Sequence, residues 1–112
     1  MTSRPRESAV EAGARKRAEA EARNRRYRRT RDLRDALEHV EAEVRGTDAS
    51  LAEMSERLAD PATYADHHAF RKLIDDHNAA RDRADQLATE WERLSTELEQ
   101  AEAEESLAPT AR

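Results

Sequence analysis

Two long stretches of the chain carry apolar residues at a repeat of seven. This spacing keeps one narrow apolar stripe, here called the seam, on the side of each helix that faces a partner helix. We therefore predict two long amphipathic helices. The first has its seam at Leu33, Leu37, Val40, Val44, Leu51, Met54 and Leu58, with Thr47 in the one polar slot. The second has its seam at Phe70, Leu73, His77, Ala80, Ala84, Leu87, Trp91, Leu94, Leu98 and Ala101.

A short connection over residues 59–66 separates the two seam helices. Asp60 followed by Pro61 favours the start of a helical turn, because Asp caps a helix well and Pro suits its first position. Asp66 is placed to cap the helix that follows. Helices joined by so short a connection fold back on each other. We therefore predict an all-α fold, an antiparallel two-helix coiled-coil hairpin.

The first helix continues past its seam toward the N-terminus. Residues 15–31 are mostly strong helix formers without an apolar stripe, which predicts a basic N-terminal helical extension that is exposed, or that is buried against helix two only through the aliphatic parts of its Arg side chains. Ser3 is a candidate cap for a weak start before it, and Gly13 favours fraying. The predicted segments are a flexible N-terminus over 1–14, one coiled-coil domain over 15–105 with helix one over 15–58, the turn over 59–66 and helix two over 67–105, and a flexible tail over 106–112.

The antiparallel arrangement fixes which residues oppose each other. Leu37 is expected opposite Leu94, and the same register brings Glu43 near Glu90, an unfavourable pair. Trp91 is expected to anchor the seam. A hairpin of two helices buries only one side of each, so its stability should be marginal. This favours a docking partner, self-association or attachment to a larger protein.

Composition agrees with a rod rather than a globular core. Of the 112 residues, 40% are charged and only 4% are aromatic, which is typical of long helices and coiled coils. The absence of Cys excludes disulfides and thiol chemistry. No apolar run approaches the roughly 20 residues that span a bilayer, and the N-terminus lacks the apolar stretch of a secretory signal. We expect a cytoplasmic protein without a membrane partner.

Charge is distributed unevenly along the chain. Residues 1–34 contain twelve basic and five acidic side chains, a net charge of +7, whereas residues 35–112 contain eight and twenty, a net of −12. Guanidinium groups match phosphate geometry, and a Tyr ring can stack on a base. The basic segment is therefore a candidate nucleic-acid-binding arm. The candidate residues are Arg15, Lys16, Arg17, Arg23, Arg25, Arg26, Tyr27, Arg28, Arg29, Arg31 and Arg34.

The arm also has a plainer interpretation as a solvated basic helix that only keeps this segment soluble or that pairs with the acidic end of the chain. That acidic end contains Glu97, Glu99, Glu102, Glu104 and Glu105.

Catalytic and metal chemistry are not expected. A two-helix rod offers no cleft that would raise a carboxyl pKa for general acid–base catalysis. His67 and His68 are adjacent, and His77 lies nine or ten residues further on, whereas ligands on one helical face need a spacing of three or four. We therefore predict no enzyme activity, no catalytic residues, no metal, no cofactor and no small-molecule substrate.

The turn sequence Leu-Ala-Asp-Pro-Ala-Thr-Tyr-Ala-Asp over 58–66 resembles the C-terminal domain of ABC-F ATP-binding cassette proteins. In that family an L-A-D-P-x-x-Y turn links two antiparallel helices, and the second ends in W-x-x-L, which is similar to the segment from Trp91 to Leu94. Arg31-Asp32-Leu33-Arg34 resembles the P-L-R-K segment that opens the domain, with Asp in place of Pro. The resemblance covers about residues 15–105.

The resemblance implies a relation to soluble cytoplasmic ATPases that act on the ribosome, in some of which the C-terminal coiled coil binds DNA or RNA. No Gly-rich phosphate-binding loop and no ABC signature is present in the sequence, so the ATPase activity is not implied. The chain is expected to be the last domain alone or part of a longer ABC-F protein.

Our leading hypothesis is a non-catalytic module that binds DNA or ribosomal RNA through the arm, with nucleic acid or the ribosome as partner. The alternative is a structural coiled coil for self-association or docking onto another coiled coil, without a nucleic-acid role.

Overall fold

The computed structural model describes residues 8–107. Helix α1 (Ala9–Ala59) is followed by a short 3₁₀ helix (Pro61–Ala65) and helix α2 (His67–Leu107). The two long helices pack along each other in opposite directions, giving a rod with extents of 94 × 21 × 19 Å. The predicted all-α antiparallel hairpin with an N-terminal helical extension is confirmed. Neither helix contains a stretch apolar enough to cross a membrane within residues 8–107.

Helix α1 begins at Ala9, six residues before the predicted start at residue 15. The cause is a capping box, in which the Glu11 N–H donates to Ser8 Oγ at 3.1 Å and the Ser8 N–H donates to Glu11 Oε2 at 3.3 Å. The segment expected to be a flexible N-terminus is therefore helical from Ala9 onward. The cap predicted from sequence, Ser3, lies outside the described residues. Helix α2 ends at Leu107, two residues after the predicted end at residue 105.

The core is a single line of side chains between the helices. Val40, Leu87 and Leu94 form its buried centre, and Leu87 is fully enclosed. Four less deeply buried residues of α1 pack against this centre. They are Leu33, Ala36, Leu37 and Val44.

The seam does not stop at Leu33, as its apolar residues suggested, but continues to Thr30. Thr30 is 1% exposed, and Ala101 of α2 is buried at the same end of the hairpin. The Thr30 hydroxyl lies 3.1 Å from both the Arg26 carbonyl oxygen and Glu105 Oε2, so its proton has an acceptor on either side. A polar residue can occupy this buried position because its hydrogen bond is satisfied.

Contacts across the hairpin agree with the predicted register. Ser55 Oγ lies 3.3 Å from His77 Nε2, within one residue of the expected pairing. The expected repulsion between Glu43 and Glu90 is relieved because Arg83 donates to Glu43 Oε2 at 2.6 Å and also interacts with Glu90. Mainly through this hydrogen bond, Arg83 lowers the pKa of the Glu43 carboxyl below its usual value.

The expectation that Trp91 anchors the seam is wrong. Its side chain is 41% exposed. The indole N–H donates to Glu41 Oε1 at 3.2 Å. This bond holds the ring at the edge of the seam, where its polar atom has a partner.

The polar residues of the turn hold its conformation through side-chain hydrogen bonds to the backbone. Asp60 caps the 3₁₀ helix by accepting from the Ala62 N–H at 3.0 Å, and Asp66 accepts from the Ala69 N–H at 3.1 Å at the start of α2. Tyr64 donates its hydroxyl to the Leu58 carbonyl at 3.0 Å. That carbonyl belongs to the last turn of α1, where carbonyl groups lack partners within the helix.

Replacement of Tyr64 by Phe tests this organisation. The Leu58 carbonyl loses its donor, so we expect the free energy of unfolding to fall by about 0.5–1.5 kcal/mol. Urea unfolding followed by circular dichroism measures the change. Tyr27→Phe is the matched control, because Tyr27 is 59% exposed and its hydroxyl has no partner among the described residues. Equal losses in the two variants would contradict the role given to Tyr64.

Gly46 is a second test of the fold. Helix α1 continues through it without a break, and a Cβ added there would meet no atom within 4 Å. We expect Gly46→Ala to raise the free energy of unfolding by about 0.5–1 kcal/mol, because Gly loses more backbone entropy in a helix than Ala. The reciprocal change at an exposed position of the same helix, Ala52→Gly, should lower it by a similar amount. A destabilised Gly46→Ala protein would mean that the helix needs Gly at this position.

Candidate nucleic-acid interface

The densest positive charge lies on α1 at the open end of the hairpin. Residues 23–31 contain six Arg and no acidic residue. They lie on one uninterrupted helix, which the Ser8 cap allows to continue to Ala9. In the antiparallel register, the acidic end of α2 over 97–105, with five Glu and no basic residue, runs beside them. The arm is therefore a basic surface with an acidic neighbour.

Two of the predicted arginines form ion pairs with the acidic end of α2. Arg29 donates to Glu104 at 3.0 Å, and Arg34 donates to Glu102 at 3.2 Å. Both pairs are about half exposed, so each contributes little to stability. They do reduce the positive charge that these two side chains offer to a ligand. For Arg29 and Arg34 the structure shows the pairing with the chain's own acidic end that the plainer interpretation anticipated.

Other predicted residues have partners within α1. Arg15 lies 3.2 Å from Glu19, one helical turn away. Arg31 lies 3.1 Å from the adjacent Asp32. These are exposed pairs, which a phosphate group can displace at small cost.

Arg26 differs from the rest because its side chain is half-buried. Together with Arg25 and Arg29 it lines a small, partly open cavity of ≈ 130 Å³, and Ala101 and Glu104 of α2 line the other side. Its Nε is buried without a hydrogen-bond partner among the described residues. The aliphatic part of Arg26 thus extends the packing between the helices beyond Thr30, so this predicted binding residue is in part a packing residue.

Five cations of the arm are exposed and have no ion-pair partner among residues 8–107. We call these five the open cations, and they are Lys16, Arg17, Arg23, Arg25 and Arg28. Tyr27 lies among them with 59% of its surface exposed.

Helical spacing groups these side chains. Arg25 and Arg28, three residues apart, share one face, and Arg23 and Tyr27, four apart, share another. By the register, α2 ends at about the level of residue 24, so Lys16 and Arg17 lie on the part of α1 that extends beyond it. The structure thus brings together the predicted residues in and around 23–28.

Sequence reasoning missed the part played by Thr30. In the sequence, the polar Thr30 side chain indicated the end of the apolar repeat. In the structure, Thr30 is buried and its hydroxyl lies within hydrogen-bond distance of Glu105, so the contact between the helices continues past Leu33. The signal that could have revealed it is the acidic run over 97–105, which the register places opposite the arm.

The described side chains are better suited to electrostatic binding than to catalysis or metal coordination. Within residues 8–107 the His, Asp and Glu side chains form no cluster of three that could hold a metal ion. His77 contacts Ser55 across the seam, consistent with a polar seam residue. The open cations are exposed to solvent, and Arg25 also lines the small cavity beside Arg26.

Comparison with known proteins gives one family. The family model for the ABC transporter C-terminal domain matches residues 28–96, which is more than half of the chain. The matched region contains the turn and most of both packed helices, and it leaves most of the arm outside. Neither the curated proteins nor the solved structures gave a match. The match and the hairpin agree with the resemblance carried by the turn motif, and the chain therefore belongs to the ABC transporter C-terminal domain family.

Proposed function

We propose that the hairpin is a non-catalytic module that binds the phosphate backbone of DNA or ribosomal RNA through its arm, in the cytoplasm and on the ribosome. The observation that carries this proposal is the group of open cations beside the exposed Tyr27. Arg25 and Arg28 present guanidinium groups on one face with no acidic partner among the described residues. Unpaired guanidinium groups on a rigid helix are suited to phosphate.

The proposed contact surface is smaller than the eleven residues expected from sequence. Arg29 and Arg34 are held by Glu104 and Glu102, and Arg26 is half-buried against α2. The open cations would therefore make the first phosphate contacts. Tyr27 would add stacking on an unpaired base or a sugar, which is tolerant of sequence. Binding of this kind favours no particular base sequence.

Absence of enzyme activity is part of the same proposal. Most Asp, Glu and His side chains among the described residues are exposed on the outside of a rod, whereas general acid–base catalysis needs groups held against a bound substrate. We expect the purified chain to hold a partner without turning over ATP.

Substitution of Arg23, Arg25 and Arg28 by Gln tests the proposal. We expect the unchanged chain to bind a labelled duplex DNA or RNA hairpin, measured by fluorescence anisotropy at several salt concentrations. Each lost phosphate contact should reduce the slope of log K against log salt by about 0.9 on duplex DNA, so the triple variant should lose roughly 2 to 3 in slope.

The matched control places the same three charge changes at the other end of the hairpin. Arg57, Arg71 and Arg81 are exposed and have no ion-pair partner among the described residues. Their replacement by Gln should leave the salt slope nearly unchanged. Equal losses in both variants would mean that binding follows net charge and not the arm. An unchanged chain that binds neither nucleic acid would favour the structural coiled-coil alternative.

The acidic end of α2 gives a second prediction. Glu102→Gln with Glu104→Gln releases Arg34 and Arg29, so the affinity for duplex DNA should rise and the salt slope should steepen by about 1 to 2. Glu53→Gln with Glu56→Gln makes the same charge change on exposed residues far from the arm. That control should give a clearly smaller gain in affinity for duplex DNA. The same gain in both variants would show that the two ion pairs do not restrict the arm.

A further inference from the structure

A groove runs along the side of the hairpin near its middle, away from the arm. The groove has a volume of ≈ 520 Å³ and lies between α1 and α2. Val44 of α1 and Ala84, Ala88 and Trp91 of α2 form its apolar part. It lies where the seam is thinnest, because the register sets Thr47 opposite Ala84. Two helices alone leave apolar surface uncovered at this level.

The side chains in the groove are arranged to receive another helix. Ala84 and Ala88 are one helical turn apart and small, so a third backbone can approach to the 8–10 Å typical of packed helices. Trp91 stands at one edge, 41% exposed, and its hydrogen bond to Glu41 fixes the ring in place. A fixed aromatic ring beside a floor of small residues forms a pocket for an apolar anchor.

The charged groups that line the groove indicate which kind of helix fits. Three are carboxylates and one is a guanidinium, a net charge of −2. They are Glu41, Asp48, Glu92 and Arg45. A second copy docking through the same face would bring two acidic rims together, which disfavours that occupant, and phosphate-bearing ligands are repelled in the same way. A cationic helix meets the rim with the opposite sign, and an ammonium group over the exposed face of Trp91 is favourable.

We propose that this groove is the docking site for an amphipathic helix of a partner protein, with an apolar stripe flanked by Lys or Arg. The partner helix completes a three-helix packing at the level where the hairpin's own seam is thin. This surface is separate from the arm and does not depend on nucleic-acid binding.

Trp91 reports directly on the groove because it is the only Trp in the chain. The probe is a synthetic 21-residue peptide of Leu, Ala and Lys with Leu at seven-residue helical spacing. Its addition should shift the Trp91 emission to shorter wavelength in a saturable manner. A peptide with Glu in place of every Lys should bind at least roughly tenfold more weakly.

Two variants separate docking in the groove from general attraction to an acidic protein. Ala88→Glu adds a negative charge but fills the floor. It should therefore weaken binding if the peptide enters the groove, and strengthen it if charge alone attracts the peptide. Asp48→Lys with Glu92→Lys should weaken binding at least roughly tenfold, whereas Glu53→Lys with Glu56→Lys, on exposed residues outside the groove, should change it far less. Circular dichroism of each variant is the control that checks whether its helices are retained.

Several results would overturn the proposal. They are an unshifted Trp91 emission, equal binding of the Lys and Glu peptides, or stronger binding by Ala88→Glu. A shift in Trp91 emission that depends on protein concentration without peptide, with dimers in sedimentation velocity, would assign the groove to a second copy instead.

Discussion

Leu87 and Leu94 of α2 pack against Val40 of α1, and this narrow contact sets the register from which the other features follow. In a two-helix hairpin no third element corrects an error in alignment. Sliding one helix by a turn would take Thr30 away from Glu105 and Arg83 away from Glu43. The turn limits such sliding, because Tyr64 and Thr63 bond to carbonyl groups at the end of α1. Packing at the centre and hydrogen bonds at the closed end thus enforce the same alignment.

The open end of the hairpin is held by polar contacts, and these contacts involve three residues of the basic segment of α1 or beside it. The buried Thr30 hydroxyl can donate to the Glu105 carboxylate, and Arg29 and Arg34 form exposed ion pairs with Glu104 and Glu102. The exposed pairs add little stability, but they lower the local positive charge. A strand of nucleic acid that reached these arginines would have to displace carboxylates first. This favours initial contact through Arg25 and Arg28, which carry no such partner among the described residues.

The architecture could be predicted from sequence because a seven-residue repeat and an Asp-Pro turn leave few ways to fold. The helix start at Ala9 is also encoded, in the Ser8 and Glu11 spacing of a capping box, whereas the cap predicted from sequence is Ser3 alone. Side-chain exposure was harder to predict. Trp91 occupies a seam position by spacing, yet its hydrogen bond to Glu41 holds it at the edge. Periodicity predicts the direction of a side chain but not its hydrogen-bond or ion-pair partner. For the same reason, the arginines of the arm that form ion pairs with α2 could not be distinguished by sequence from the open cations.

The arm and the groove lie at different levels of a long, thin rod. Residues 25 and 44 of α1 are separated by about 28 Å at the rise of an α-helix, which exceeds the Debye length of about 8 Å at physiological salt. The positive arm and the acidic groove therefore scarcely weaken each other's electrostatic field. Under the two proposals above, one molecule would hold an anionic partner at the arm and a cationic partner at the groove, and the length of α1 between these surfaces would set the distance between the partners.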